Sequence, residues 1–95
     1  MKTVYKYEIP RHKLDGMEFT MPAGASPLPL VVNVQHSSVD ERITFWAEVD
    51  TSHVDAVRKF AVYGTGHDIP HGSVYVGTTL LMGGRIVFHL YEIGV

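Results

Sequence analysis

Apolar and polar residues alternate with a period of two along most of the chain, and Gly, Pro, Asp and Ser interrupt the alternation at short intervals. A period of two puts successive side chains on opposite faces of an extended strand, whereas one face of a helix repeats every 3.6 residues. Seven segments carry the strand pattern. Residues 3–9 set Tyr5, Tyr7 and Ile9 against Val4, Lys6 and Glu8, and Pro10 ends the run because it has no N–H to give to a ladder. Residues 17–21 set Met17, Phe19 and Met21 against Glu18 and Thr20, and residues 22–27, with two prolines and a glycine, read as a loop. Residues 30–35 make a third strand. In the fourth, 42–50, Ile43, Phe45, Ala47 and Val49 face one way and Thr44, Trp46, Glu48 and Asp50 the other. Residues 51–57, with Asp50, Thr51 and Ser52 as N-cap candidates, suit a single helical turn. Residues 58–63, 73–81 and 85–93 complete the set, with Gly83 and Gly84 joining the last two as a tight hairpin.

Short strands joined by Gly and Pro turns predict an all-β fold, either a small antiparallel sandwich or a partly open barrel of about seven strands. A length of 95 residues fits one domain, 1–95, with a modest core, and 45% hydrophobic with 19% charged residues is a globular composition rather than a disordered one. The net charge of −2 comes with no run of Lys or Arg, so no basic patch is present to neutralise a phosphate backbone, and nucleic acid is not expected as a partner. The absence of cysteine removes disulfides, thiolate zinc sites and a cysteine nucleophile together. No apolar run approaches the ~20 residues of a membrane helix, and the opening residues alternate where a signal peptide would be continuously apolar. A cytoplasmic protein without membrane contact is the expectation.

One stretch, Val62-Tyr-Gly-Thr-Gly-His-Asp-Ile-Pro-His-Gly72, has a composition that strand building does not explain. A glycine-lined turn exposes backbone N–H groups to an anion, and Thr65 and His67 add side-chain donors beside Gly64 and Gly66. A plain loop, with Gly64 and Gly66 at positive φ and Pro70 in a turn, accounts for the same residues. His67 and His71 have helical metal-ligand spacing, but Pro70 and Gly72 oppose a helix, so no metal site is expected. Glu48 and Asp50 share a strand face, which a solvated strand end explains. No serine lies in a nucleophile motif, so no catalytic residue is assigned and no cofactor is implied.

Trp46, Tyr63, Tyr75, His89 and Tyr91 all alternate with the core positions Phe45, Val62, Val76, Phe88 and Leu90. Read together they make one aromatic face with polar tips, suited to a planar ligand or a protein partner. Arg58 and Arg85 open two of the strands and could hold a phosphate or carboxylate. A second core layer, with hydroxyls at its rim, accounts for the same rings.

The pattern of Tyr5-Lys6-Tyr7, Met21-Pro22-Ala23-Gly24-Ala25, Phe45-Trp46-Ala47-Glu48-Val49-Asp50, Phe60-Ala61-Val62-Tyr63-Gly64-Thr65-Gly66-His67, Ile69-Pro70, Tyr75-Val76-Gly77-Thr78 and Val87-Phe88-His89-Leu90-Tyr91-Glu92 spans nearly the whole chain. It resembles a family of small uncharacterised proteins common in tailed-phage and prophage genomes. That resemblance implies an accessory protein that counters host immunity, either by sequestering a nucleotide signal or by binding a host defence protein. For the first, Gly64, Thr65, Gly66 and His67 would contact phosphate, Trp46, Tyr75 and Tyr91 would stack on a base, and Arg58 and Arg85 would pair with charge. The second, a protein-interaction or virion accessory module, would use the aromatic face or an unpaired strand edge. A homo-oligomer is expected in either case, because small all-β domains leave edges to cover.

Overall fold

A computed structural model describes residues 1–28, 42–81 and 86–94. Within them lie seven strands: β1 (Lys2–Ile9), β2 (Met17–Pro22), β3 (Ser26–Pro27), β4 (Ile43–Asp50), β5 (Asp55–Gly64), β6 (Val74–Leu81) and β7 (Ile86–Ile93). They form two antiparallel sheets, of order β1-β4-β3 and β2-β5-β7-β6, and neither closes into a barrel. The sandwich alternative is therefore the observed one. The predicted strand at 30–35, the Gly83-Gly84 turn and Arg85 lie outside the described residues.

The alternation read from the sequence sets the core. In β4, Ile43, Phe45, Ala47 and Val49 are all buried, whereas Thr44, Trp46, Glu48 and Asp50 are not. Phe45 meets Phe60 of the facing sheet with ring centroids 4.8 Å apart, and Tyr7 and Phe19 pack edge-on or stacked around them. Phe45 and Phe60 are fully buried, and each such side chain contributes ~1.5–3 kcal/mol through removal of apolar surface from water. Ile9, Met21, Ala25 and Leu90 fill the remainder of the interlayer.

Three local expectations need correction. Residues 51–57 hold no helical turn: Ser52 donates both its N–H and its hydroxyl to the Asp50 carboxylate, a reversal completes by His53, and β5 begins at Asp55. Asp50 and Ser52 thus act as turn formers, and β-branched Val54 and Val57 suit an extended chain better than a helix. The short helical element is instead a 3₁₀ turn at Arg11–Lys13, closed by the Lys13 N–H on the Pro10 carbonyl. The third correction is at 22–27, where Ser26 and Pro27 pair with Glu48 and Ala47 instead of forming loop alone.

Two of the chain crossings between the layers meet at one corner. Residues 23–25 carry the chain from β2 in one sheet to β3 in the other, and residues 51–54 carry it from β4 to β5. The Ala23 N–H donates to the Val54 carbonyl, and His53 Nδ1 lies 2.8 Å from the Ala23 carbonyl oxygen, so the two crossings brace each other. Gly24, at φ +78°, makes the first crossing possible. Among the described residues no helix is long and apolar enough to cross a membrane.

Candidate functional site

The four-stranded sheet presents its outer face through the odd residues of β5 and β7. Tyr91 stands opposite Ala61 on one side and Tyr75 on the other, and His89 stands opposite Tyr63 and Thr78. Tyr63, Tyr91 and Tyr75 therefore run as a row across three strands. Tyr63 meets Tyr91 at 6.0 Å and 71°, and Tyr75 meets it at 5.4 Å and 66°, both edge-to-face contacts that match ring quadrupoles. Exposure rises along the row, from half-buried Tyr63 to Tyr75, which is 55% exposed at the sheet edge. Burial holds the Tyr63 hydroxyl above its ordinary pKa.

A bulge decides which residues join that row. Between Tyr75 and Gly77 the register of β6 against β7 slips, so that Tyr75 pairs with Tyr91 but Gly77 already pairs with Leu90. Strict alternation would put Gly77 and Thr79 beside Tyr75. With the extra residue, Thr78 arrives there instead, and Thr79 turns inward, 5% exposed. The Tyr75 hydroxyl lies 2.5 Å from Thr78 Oγ1, which lies 3.0 Å from His89 Nδ1, and His89 Nε2 lies 3.1 Å from Thr65 Oγ1. Both nitrogens of the half-buried imidazole thus have hydroxyl partners, which satisfy either tautomer because a hydroxyl both donates and accepts.

Thr65 opens the crossover that frames the face. Strands β5 and β6 run parallel with β7 between them; β5 ends with Gly64 opposite Phe88, and β6 begins with Val74 opposite Glu92. The nine residues 65–73 must return roughly 13 Å along β7, at ~3.3 Å per residue, while crossing it. The Thr65 contact with His89 puts the start of that crossing on the outer face. Two turns shape it. The His67 N–H donates to the Gly64 carbonyl around Gly66 at φ +88°, and the Ser73 N–H donates to the Pro70 carbonyl around Gly72 at φ +82°. Gly64, expected at positive φ, instead ends β5 in ordinary backbone; its missing Cβ leaves room for the His67 ring, whose Cε1 would lie 3.1 Å from a Cβ there.

The structure brings together only some of the residues named from the sequence. Thr65, Tyr75 and Tyr91 share the outer face with Tyr63 and His89. Gly64 and His67 engage each other, because the Gly64 N–H donates to His67 Nδ1 at 3.3 Å, so two of the four amides of the proposed anion turn have partners within it. Trp46 is on β4 of the other sheet, opposite Lys6, facing away from the interlayer that its neighbour Phe45 fills. It is therefore on the far side of the sandwich from the tyrosines. Arg58 shares the core-facing side of β5 with Phe60 and pairs bidentately with Glu92, at 2.7 and 2.6 Å, with its third bond to the Ala25 carbonyl. Arg85 lies outside the described residues. Thr78 escaped sequence reasoning; Gly77, a glycine inside a strand pattern, is the signal of a bulge that could have found it.

Other clefts and charges are elsewhere. One open cleft of about 440 Å³ is lined by Tyr5, Lys6, Tyr7, Thr20 and Asp55, and another of about 420 Å³ by Lys13, Met17, Glu18 and Lys59; neither includes the tyrosine row. Glu48 pairs with Lys2, and Asp50 accepts from Ser52 and the terminal amine of Met1. Among the described residues no group of three or more His, Asp or Glu could hold a metal.

The sequence profile of one family matches residues 1–94. The chain belongs to the family defined by a domain of unknown function, DUF7352. Its match covers both sheets, so the tyrosine row and the corner at Arg58 lie wholly within the family domain. No curated protein and no solved structure matches the chain.

Proposed function

We propose that this DUF7352 protein is a non-enzymatic protein-interaction module that binds its partner through the row Tyr63, Tyr91 and Tyr75. The observation that carries the reading is Tyr75: more than half exposed, yet held by Thr78 below and Tyr91 beside it. An aromatic ring fixed before binding loses little rotamer freedom on contact and keeps a hydrogen-bonding tip, which is why tyrosine is enriched at interface centres. The face around it is a sheet surface with Leu80 exposed on the same side, a shape that suits a protein surface. On the resemblance to phage and prophage proteins, the partner class is a host defence protein, or a virion component if the chain serves in assembly, and the setting is the host cytoplasm.

Sequestration of a nucleotide or other phosphorylated ligand has less support. It keeps Tyr75, Tyr91 and Thr65, but Trp46 faces the other way, Arg58 is neutralised by Glu92, and the amides of Gly64 and His67 have partners. The test is to capture partners on the purified protein, then compare Tyr75→Ala with Trp46→Phe by titration against the partner identified. The interaction reading expects at least a tenfold loss for Tyr75→Ala, equivalent to ~1.4 kcal/mol, and no change for Trp46→Phe. Equal binding by the Tyr75 variant, or a nucleotide released on denaturing the native protein, would overturn it.

A further inference from the structure

The described sheet edges are not equally protected. The edge strand β1 carries Lys2, Lys6 and Glu8, and the edge strand β2 carries Glu18 and ends on Pro22. Strand β3 is two residues long and also ends on proline. Charges, prolines and shortness are the devices by which edges resist pairing with another chain. Strand β6, the remaining edge, has the sequence Val-Tyr-Val-Gly-Thr-Thr-Leu-Leu, with no charge and no proline over eight residues. It also exposes Val74 at 50%, Tyr75 at 55% and Leu80 at 49%.

The bulge in β6 limits the usable edge without removing it. Beyond it, Gly77 to Leu81 pair one-to-one with Leu90 to Ile86, so five residues keep a regular ladder on the β7 side and present the alternate backbone groups outward. We propose that this edge pairs antiparallel with β6 of a second copy of the chain, joining two four-stranded sheets into one of eight across a two-fold axis.

The choice of occupant rests on charge and on face. A two-fold pairing sets a strand against its own reverse, so any charge near the axis meets its own copy, and like charges opposite one another are destabilising. Of the described edges longer than two residues, strand β6 is the one that brings none. A two-fold through Thr79 keeps the pleat in phase, because it opposes residues whose numbers differ by an even count. It sets Thr79 against Thr79 and Thr78 of each copy against Leu80 of the other. Thr78 and Leu80 are both on the outer face, opposite His89 and Val87. The exposed Leu80 of one copy then covers Thr78 of the other, next to the Tyr75 ring whose hydroxyl bonds that threonine. The exposed Leu80 of each copy is thereby covered, and both tyrosine rows lie on the same face of the joined sheet, offset to either side of the axis.

The pairing does not depend on the partner-binding role of the row. Its test is the mass of the native protein by light scattering and sedimentation over a range of concentration. The expected mass is twice the 10.6 kDa of the chain. Leu80→Lys puts a cation against the facing strand near the axis and should give a monomer with unchanged circular dichroism, because Leu80 is half-exposed and its loss leaves the core intact. Val4→Lys, on the outer face of the other sheet, should stay dimeric. Amide exchange should show protection of residues 77–81 that grows with concentration in the native chain and is absent from Leu80→Lys. A native monomer throughout the range, or a dimer that Leu80→Lys leaves unchanged, overturns the proposal, as does a dimer protected along β1 instead.

Discussion

Arg58 and Glu92 form a two-pronged ion pair inside the edge of the sandwich, with side chains 19% and 14% exposed. The hydrogen bonds to Glu92 raise the Arg58 pKa above its ordinary value, and the third guanidinium bond ties the pair to the Ala25 carbonyl at the corner where the chain changes sheets. The pair therefore fastens β5 to β7 and both to the β2–β3 crossing.

Removing one partner leaves the other charge in a poorly hydrated place. Breaking a fully buried pair costs ~3–5 kcal/mol, and the remaining exposure here reduces this to about 2–3 kcal/mol for Arg58→Ala or Glu92→Ala in urea unfolding. The double variant Arg58→Met with Glu92→Leu should recover much of that loss, because no unpaired charge remains. Single variants within about 0.5 kcal/mol of the native protein would show that the pair is solvated.

Stability should fall on both sides of neutrality. The Asp50 carboxyl is held well below the usual range, first by the Ser52 hydroxyl and N–H, and Glu8 is lowered first by its bond from Arg42. A carboxylate with a lowered folded pKa contributes stability above its unfolded value, near 4, and loses it as the pH falls further. Tyr7 and Tyr63 are raised, chiefly by burial, from an unfolded value of 10.0, so the stability of their neutral forms is lost as the pH rises through their folded values. Unfolding titrations of Asp50→Asn and Tyr63→Phe should flatten the acid and alkaline limbs respectively. A native profile with the same slope as both variants would refute the assignment.

The crossover turn should resist substitution at Gly66 for a backbone reason alone. No heavy atom lies within 4 Å of a Cβ built there, but φ is +88°, so Gly66→Ala should cost ~1 kcal/mol in strain. Gly64→Ala meets the His67 ring instead, and should shift the His67 resonances in NMR more than it lowers the melting temperature. A larger loss at Gly64 than at Gly66 would reverse this account.

The hydroxyl relay makes a separate prediction. Thr78→Val keeps the shape of the side chain but leaves His89 Nδ1 and the Tyr75 hydroxyl without their shared partner, at a cost of about 1–2 kcal/mol. The near-ultraviolet dichroism of the tyrosines should weaken as Tyr75 gains freedom. An unchanged tyrosine signal would mean that Tyr91 alone fixes the ring.

Much of the fold was legible in the chain. The inward set of β4, the Met17, Phe19 and Met21 set of β2, and the strands at β1, β6 and β7 are set by alternation, because burial of one face repeats every second residue wherever a sheet has a single core side. Alternation was silent at Ser52, where a helix cap and a turn former have the same composition and the pull of β5 toward β2 selects the turn. It misled at Gly77, where one extra residue in β6 exchanges the faces of the residues beyond it.

What the sequence by itself determined is the sorting of each strand into two sets of side chains, since that depends only on local extension and on which residues avoid water. Which strands share a sheet was decided by the tertiary structure. Period two marks Trp46 and Tyr91 alike as outward, and only the pairing of β4 with β1 and of β7 with β5 and β6 sends them to opposite surfaces. Arg58 and Glu92 are likewise unremarkable 34 positions apart until β5 and β7 become neighbours. Contacts of that kind arise from chain reversal over long separations, which the order of residues along one strand does not encode.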